Sequence, residues 1–158
     1  MKPLDLIKTA LILAMQATSK RPRISDLCRS VSTIYYAYFR TLCQTIADLW
    51  VGATPAARSS AAWRKAFRSL QHGRARDICS NKKLMSRFPI EARKLAEEFV
   101  SIYDKRVKAD YNHDARFYRS EVISDAYLAI ETIENFMKLP REVRLDFVTM
   151  LALPERRN

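Results

Sequence analysis

Glycine is almost missing from this chain: Gly52 and Gly73 are the only two in 158 residues. That scarcity excludes a glycine-rich phosphate cradle of the Walker or dinucleotide-binding kind. It also excludes a β-rich fold built on tight turns, which draw on glycine for positive φ. Cysteine is scarce too. Cys28, Cys43 and Cys79 are odd in number, far apart and without CxxC spacing, so reduced, mostly buried thiols in a cytoplasmic protein are expected rather than a disulfide framework. With only two histidines and no close ligand pair, neither a metal site nor a cofactor is expected. No apolar run approaches the roughly 18 residues a membrane span requires. The stretch from Ala10 to Met15 imitates the start of a leader, but Asp5 and Lys8 interrupt it. Pro3 is placed to open an amphipathic helix there.

What is abundant is apolar material and positive charge. Hydrophobic residues make up 48% of the chain, enough for a core and too much for wholesale disorder. The length suits a single domain, 1–158. Lys+Arg number 28 against 17 Asp+Glu, a net charge of +11, and the excess is lopsided. Residues 1–87 hold 16 basic and 4 acidic side chains, and residues 88–158 hold 12 and 13. The densest stretch contains Arg64, Lys65, Arg68, Arg74, Arg76, Lys82, Lys83 and Arg87 against Asp77 alone. A charge run is most often a solvated face, but this concentration in one segment points toward a polyanionic partner.

Hydrophobic periodicity reads as helix throughout. A first helix is expected over 4–18 (Leu4, Ile7, Leu11, Ala14), and a long second one from a cap at Ser25 or Asp26 to about Trp50. The second is apolar on two stripes: Leu27, Val31, Ile34, Tyr38, Leu42 and Trp50, then Tyr35, Phe39, Cys43 and Ile46. A helix apolar most of the way round belongs at the centre of a bundle. A third is expected over 56–71 with Gly73 as its C′ stop, followed by a short helix and loop over 74–87. A fourth spans about 89–111, a fifth 116–138, and beyond Pro140 a short tail helix carries Val143, Phe147, Val148 and Leu151. The expected architecture is all-α: an antiparallel four- or five-helix bundle with its core over 27–137.

Polar residues on inward stripes mark candidate sites. The stripe of the fourth helix, Leu95, Phe99, Ile102 and Tyr103, runs on to Arg106 and then Asp110. One reading is a structural i,i+4 pair, worth roughly a few tenths of a kcal/mol if exposed. The other is a guanidinium at the mouth of a cleft, shaped to grip phosphate. On the second helix Ser32, Tyr36 and Arg40 form a polar line. His113 follows Arg106 within a polar turn and is a candidate general base or acid, though an ordinary surface histidine is the commoner outcome in such a turn. His72 precedes Gly73, where a cation at a helix C-terminus explains it without function.

Three segments, SVSTIYYAYFRTLC (30–43), AWRKAFRSLQHGRARDIC (62–79) and FPIEARKLAEEFVSIYDKRVKADYNHDARFYRSEV (88–122), together resemble one branch of the HEPN superfamily. The resemblance covers most of 27–137. It implies a small helical-bundle domain of prokaryotic defence, toxin or RNA-processing systems, dimeric and metal-independent. In such ribonucleases an Arg-x(4–6)-His signature faces its copy across a dimer cleft, the arginine stabilising phosphorane charge and the histidine assisting proton transfer. Arg106 matches the signature arginine, and His113 satisfies the spacing with six residues between. The chain departs from the branch at Val107, where a polar residue is usual, and at Arg40, where a histidine is usual.

The resemblance implies catalytic roles for Arg106 and His113, with Tyr111 and Asp110 beside them. It implies phosphate contact by Arg40 and Tyr36, joined by the basic segment Arg64, Lys65, Arg68, Arg74, Arg76, Lys82 and Lys83. Expected partners are RNA, a second copy of the chain, and a nucleotidyltransferase-type or other antitoxin. Two alternatives stand beside a ribonuclease: a catalytically silent module binding nucleic acid or a partner protein, and an interaction protein that docks its partner on Phe147 and Leu151.

Overall fold

A computed structural model describes residues 1–16 and 21–154. It is all-helical, with no strand among the described residues. Five longer helices, α1 (Pro3–Met15), α2 (Ile24–Trp50), α6 (Ile90–Tyr111), α7 (Arg119–Met137) and α8 (Arg141–Ala152), are joined by a region of short ones, α3 (Ser60–Phe67), α4 (His72–Ser80) and α5 (Lys82–Met85).

The centre is α2, which packs against α1, α3, α6, α7 and α8. Both expected stripes are used. Leu27, Val31, Ile34, Tyr38 and Leu42 are buried, and so are Tyr35, Cys43 and Ile46 on the other side. Proline punctuates the assembly, opening α1 at Pro3 and preceding α6 and α8 as Pro89 and Pro140. Its fixed φ suits a helix start, where no backbone donor is lost.

At the other end of α2 the chain turns at Gly52, with φ of +146°. A Cβ there would lie 3.1 Å from the Ala57 carbonyl oxygen, so both conformation and space demand glycine. Asp48 then fixes the exit. It accepts from Trp63 Nε1 at 2.8 Å and from Arg58 at 3.3 Å, while the Arg58 guanidinium lies 4.3 Å from the Trp63 ring centroid.

Several expected boundaries move. The start of α2 is not capped by Ser25 or Asp26: Arg23 holds the cap position without a side-chain cap, and its guanidinium pairs with Asp26 at 2.8 Å. The first helix stops at Met15, and 17–18 lie outside the described residues. The larger correction concerns 56–71. A 3-10 turn at Pro55–Ala57, extended backbone at Arg58 and a side-chain cap from Ser59 onto the Ala62 amide confine α3 to eight residues. Gly73 does not terminate it. The helix breaks over 68–71, where Leu70 is buried, and α4 begins at His72 with Gly73 inside its first turn.

The core is also wider than 27–137. Ile7, Ala10 and Ala14 from α1, and Phe147, Val148 and Leu151 from α8, are all fully buried in the same cluster. Phe147 packs edge-on to Phe88 and tilted against Phe136, with centroids at 5.3 and 5.4 Å. These side chains cannot also present a docking face, so the reading of the last helix as a partner-capturing tail is set aside.

Because Phe147 is enclosed by rings from α7 and from the approach to α6, Phe147→Ala leaves a cavity. The expected loss is about 3–5 kcal/mol, read as a lower urea midpoint with an unchanged slope.

Candidate functional site

The site is built where α2, α4 and α6 meet. Tyr35 of α2 is fully buried, and its ring is surrounded by Phe99 and Tyr103 of α6 and by His72 of α4. Arg106, one turn beyond Ile102 on the buried stripe of α6, lays its guanidinium 5.3 Å from the Tyr35 ring centroid. It also stands 6.0 Å from the Tyr36 centroid and 5.9 Å from that of Tyr111. A cation within about 6 Å of an aromatic face is attracted by the ring quadrupole.

The expected Arg106–Asp110 pair is present. Arg106 Nε is 2.8 Å from Asp110 Oδ2, off the line of a hydrogen bond, so charge rather than donor geometry joins them. Asp110 Oδ1 in turn accepts from Ser32 Oγ at 2.6 Å, tying residues 78 positions apart. The pair occupies one end of the guanidinium. Its two terminal nitrogens make no hydrogen bond among the described residues, and neither is sealed from solvent as Nε is. The side chain as a whole is 17% exposed. Burial opposes its charge, but Asp110 and the surrounding tyrosines more than offset that and hold the guanidinium protonated.

His72 is the residue that sequence reasoning passed over. It opens α4 instead of closing α3, so the helix-terminus explanation does not apply. A protonated His72 would in fact sit at the unfavourable end of the helix dipole. Its Nδ1 is hydrogen-bonded to the Tyr35 hydroxyl, and its ring stacks on Phe39 with centroids 3.7 Å apart and planes within 16°. Burial pushes its pKa below the ordinary histidine value, and the nearby Arg106 charge pushes the same way. Burial likewise drives the Tyr35 phenol upward, keeping it neutral. Nothing in the local sequence announced this, because α4 begins only after a break at 68–71 that no proline or positive-φ glycine marks.

The other expected residues divide. Tyr36 and Tyr111 stand at the rim of the Arg106 cluster, 43% and 72% exposed. His113 lies beyond the end of α6 on an exposed turn, where its carbonyl accepts from Arg116, outside the cluster. Arg40 is directed elsewhere: its Nε donates to the Met1 carbonyl at 2.7 Å and its guanidinium lies over Phe67.

The basic segment also separates into two groups. Arg74 donates to the Leu151 and Leu153 carbonyls, satisfying the C-terminal end of α8, and Arg76 pairs with Asp77 and Asp104. By contrast Arg64, Lys65, Arg68, Lys82 and Lys83 are exposed and form no salt bridge among the described residues. The first three line an open depression of about 530 Å³ on α3. A groove of about 1260 Å³ between α8 and the α4–α5 region has none of the Arg106 cluster in its walls.

No described helix is long and apolar enough to cross a membrane. Compared with protein-family models, with curated proteins and with solved structures, the chain gives no match.

A depressed histidine pKa has a thermodynamic consequence. The unfolded chain binds a proton at His72 more readily than the folded one, so stability rises with pH through this group's range and falls as the solution is acidified. Between about pH 7 and pH 5.5 the wild type is expected to lose thermal stability, and His72→Asn to lose less. Melting temperatures across a pH series check this.

Proposed function

We propose that this protein is an RNA-associated helical module of HEPN-like type, acting in a defence or toxin–antitoxin setting, with Arg106 as the seat of a phosphodiester. One observation carries the reading. The Arg106 guanidinium keeps its terminal nitrogens unbonded and open to solvent, beneath the exposed rings of Tyr36 and Tyr111. A planar guanidinium matches two phosphate oxygens in a way an ammonium does not. Exposed aromatic faces are what unpaired bases stack on, and duplex bases, already stacked, offer no free face.

The rest of the surface supports this placement. The exposed, unpaired cations of α3 and α5 supply the sequence-independent attraction that draws in a polyanion. They act at long range on the whole polyanion, while Arg106 acts at a point. The resemblance adds the expectation of a homodimer in which two such sites face each other, and of an antitoxin that covers them.

A catalytically silent module is the second reading, and a specific feature favours it. Asp110 already neutralises much of the Arg106 charge, and His113 stands away from the cluster. Such a module binds RNA without turning it over.

Binding to a single-stranded RNA oligonucleotide, measured by fluorescence anisotropy over a salt series, tests the proposal. Affinity is expected to fall steeply with salt, and Arg106→Ala to weaken binding about tenfold and flatten the log–log slope by about 0.7. Asp110→Asn, which removes the competing carboxylate, is expected to tighten binding. A wild-type affinity insensitive to salt, or an Arg106→Ala variant that binds equally well, overturns it.

A further inference from the structure

We propose that the cavity between the α4–α5 pair and α6 binds a phosphorylated sugar, with Arg93 as the residue that holds the phosphate. This site shares no residue with the Arg106 cluster, so it goes beyond the RNA reading and does not depend on it. The cavity measures about 450 Å³, within the range of roughly 300–1,000 Å³ that small-ligand pockets occupy.

Arg93, in the wall of this cavity, is a cation without an acceptor. It lies near the start of α6 and is half-buried, yet it makes no hydrogen bond, salt bridge or ring contact among the described residues. Its Nε is sealed from solvent, while its two terminal nitrogens are not. Other half-buried arginines are engaged: Arg58 with Asp48, Arg74 with the end of α8, and Arg144 with the Leu139 carbonyl. Arg119 shares the lack of a partner, but there Nε and a terminal nitrogen are both sealed, which leaves a ligand little to reach. A guanidinium partly withdrawn from water and given no acceptor by its own chain is poorly satisfied. A phosphate against the cavity wall corrects this, because two of its oxygens match the planar fork. Lys82, exposed and lining the same cavity, adds a second positive charge.

The acceptors beside these cations select what the phosphate is attached to. In the same wall, the Ser80 hydroxyl donates to the Arg76 carbonyl at 2.8 Å and the Ser86 hydroxyl to the Lys83 carbonyl at 2.7 Å. Both protons are spent within the chain, so each oxygen has only lone pairs left to offer. Glu97, one turn beyond Arg93, also lines the cavity and forms no salt bridge among the described residues. Its carboxylate is a third acceptor. Three acceptors suit a ligand with several donors, and the hydroxyls of a sugar supply them. Glu97 also repels a bare phosphate, which sets a phosphorylated sugar above inorganic phosphate. Buried Cys79 and Met85 complete the wall with an apolar surface on which the carbon frame of a sugar packs.

Isothermal titration calorimetry on the full chain provides the test, with ribose 5-phosphate and glucose 6-phosphate as probes and free glucose and inorganic phosphate as references. At least one sugar phosphate is expected to bind about tenfold or more tighter than either reference. Arg93→Gln is expected to weaken that binding about tenfold or more, and Arg93→Lys to weaken it as well, since an ammonium lacks the fork. Lys82→Ala and Glu97→Gln alter exposed side chains, so they report on the site even where an Arg93 variant fails to fold. The first is expected to weaken binding about threefold, and the second to narrow the preference over inorganic phosphate. Arg106→Ala is expected to leave the affinity within about twofold, as the two sites are separate.

Two sugar phosphates that both fail to bind, or inorganic phosphate that binds as tightly as they do, overturn the inference. So does an affinity that neither Lys82→Ala nor a folded Arg93 variant changes. None of these results bears on whether the chain binds RNA at Arg106.

Discussion

The buried hydroxyl of Tyr35 is the constraint on which core and site both depend. A phenol enclosed at the centre of a bundle must find a hydrogen-bond partner, since an unmet buried polar group costs about 1–3 kcal/mol. The partner is His72, so one polar contact ties α4 to α2, while buried Ala75 and Cys79 seat α4 in the core against α6 and α8. The same ring packs against Phe99 and Tyr103 and carries the Arg106 guanidinium over its face. One side chain therefore holds the bundle's interior together and sets the distance between a cation and an imidazole.

Charge follows a similar economy. The chain carries an excess of eleven positive charges, yet its basic segment is not uniform. Arg74 is consumed in closing the C-terminal end of α8, whose last carbonyls have no partner within the helix. Arg58 and Asp48 lock the exit from α2. Lys105 bridges Glu121 and Asp125 across α6 and α7. Within 64–83, the cations left without a salt bridge among the described residues, Arg64, Lys65, Arg68, Lys82 and Lys83, lie on or beside α3 and α5.

Much of the fold was legible beforehand because it is local. The double apolar stripe of α2 determined that this helix would be central. The uninterrupted stripes of α6 and α7, bounded by Pro89 and Pro140, determined where those helices run. The Arg106–Asp110 pair was equally legible, because residues four apart on a helix are neighbours whatever surrounds them. The region 56–87 was not. Its helices are short, so their individual propensities are weak, and the break between α3 and α4 rests on buried Leu70 rather than on a breaker residue. With that break missed, His72 was assigned to the wrong end of the wrong helix.

The amino-acid order by itself thus determined an all-helical chain, its central helix and the position of the guanidinium, since periodicity and capping act over a few residues. Only the tertiary structure decided that a histidine 34 positions before that guanidinium, and a tyrosine 37 before the histidine, would converge on it. Those separations are bridged by the packing of α6 onto α2 and of α4 onto α6 and α8, and no local spacing encodes how those helices cross.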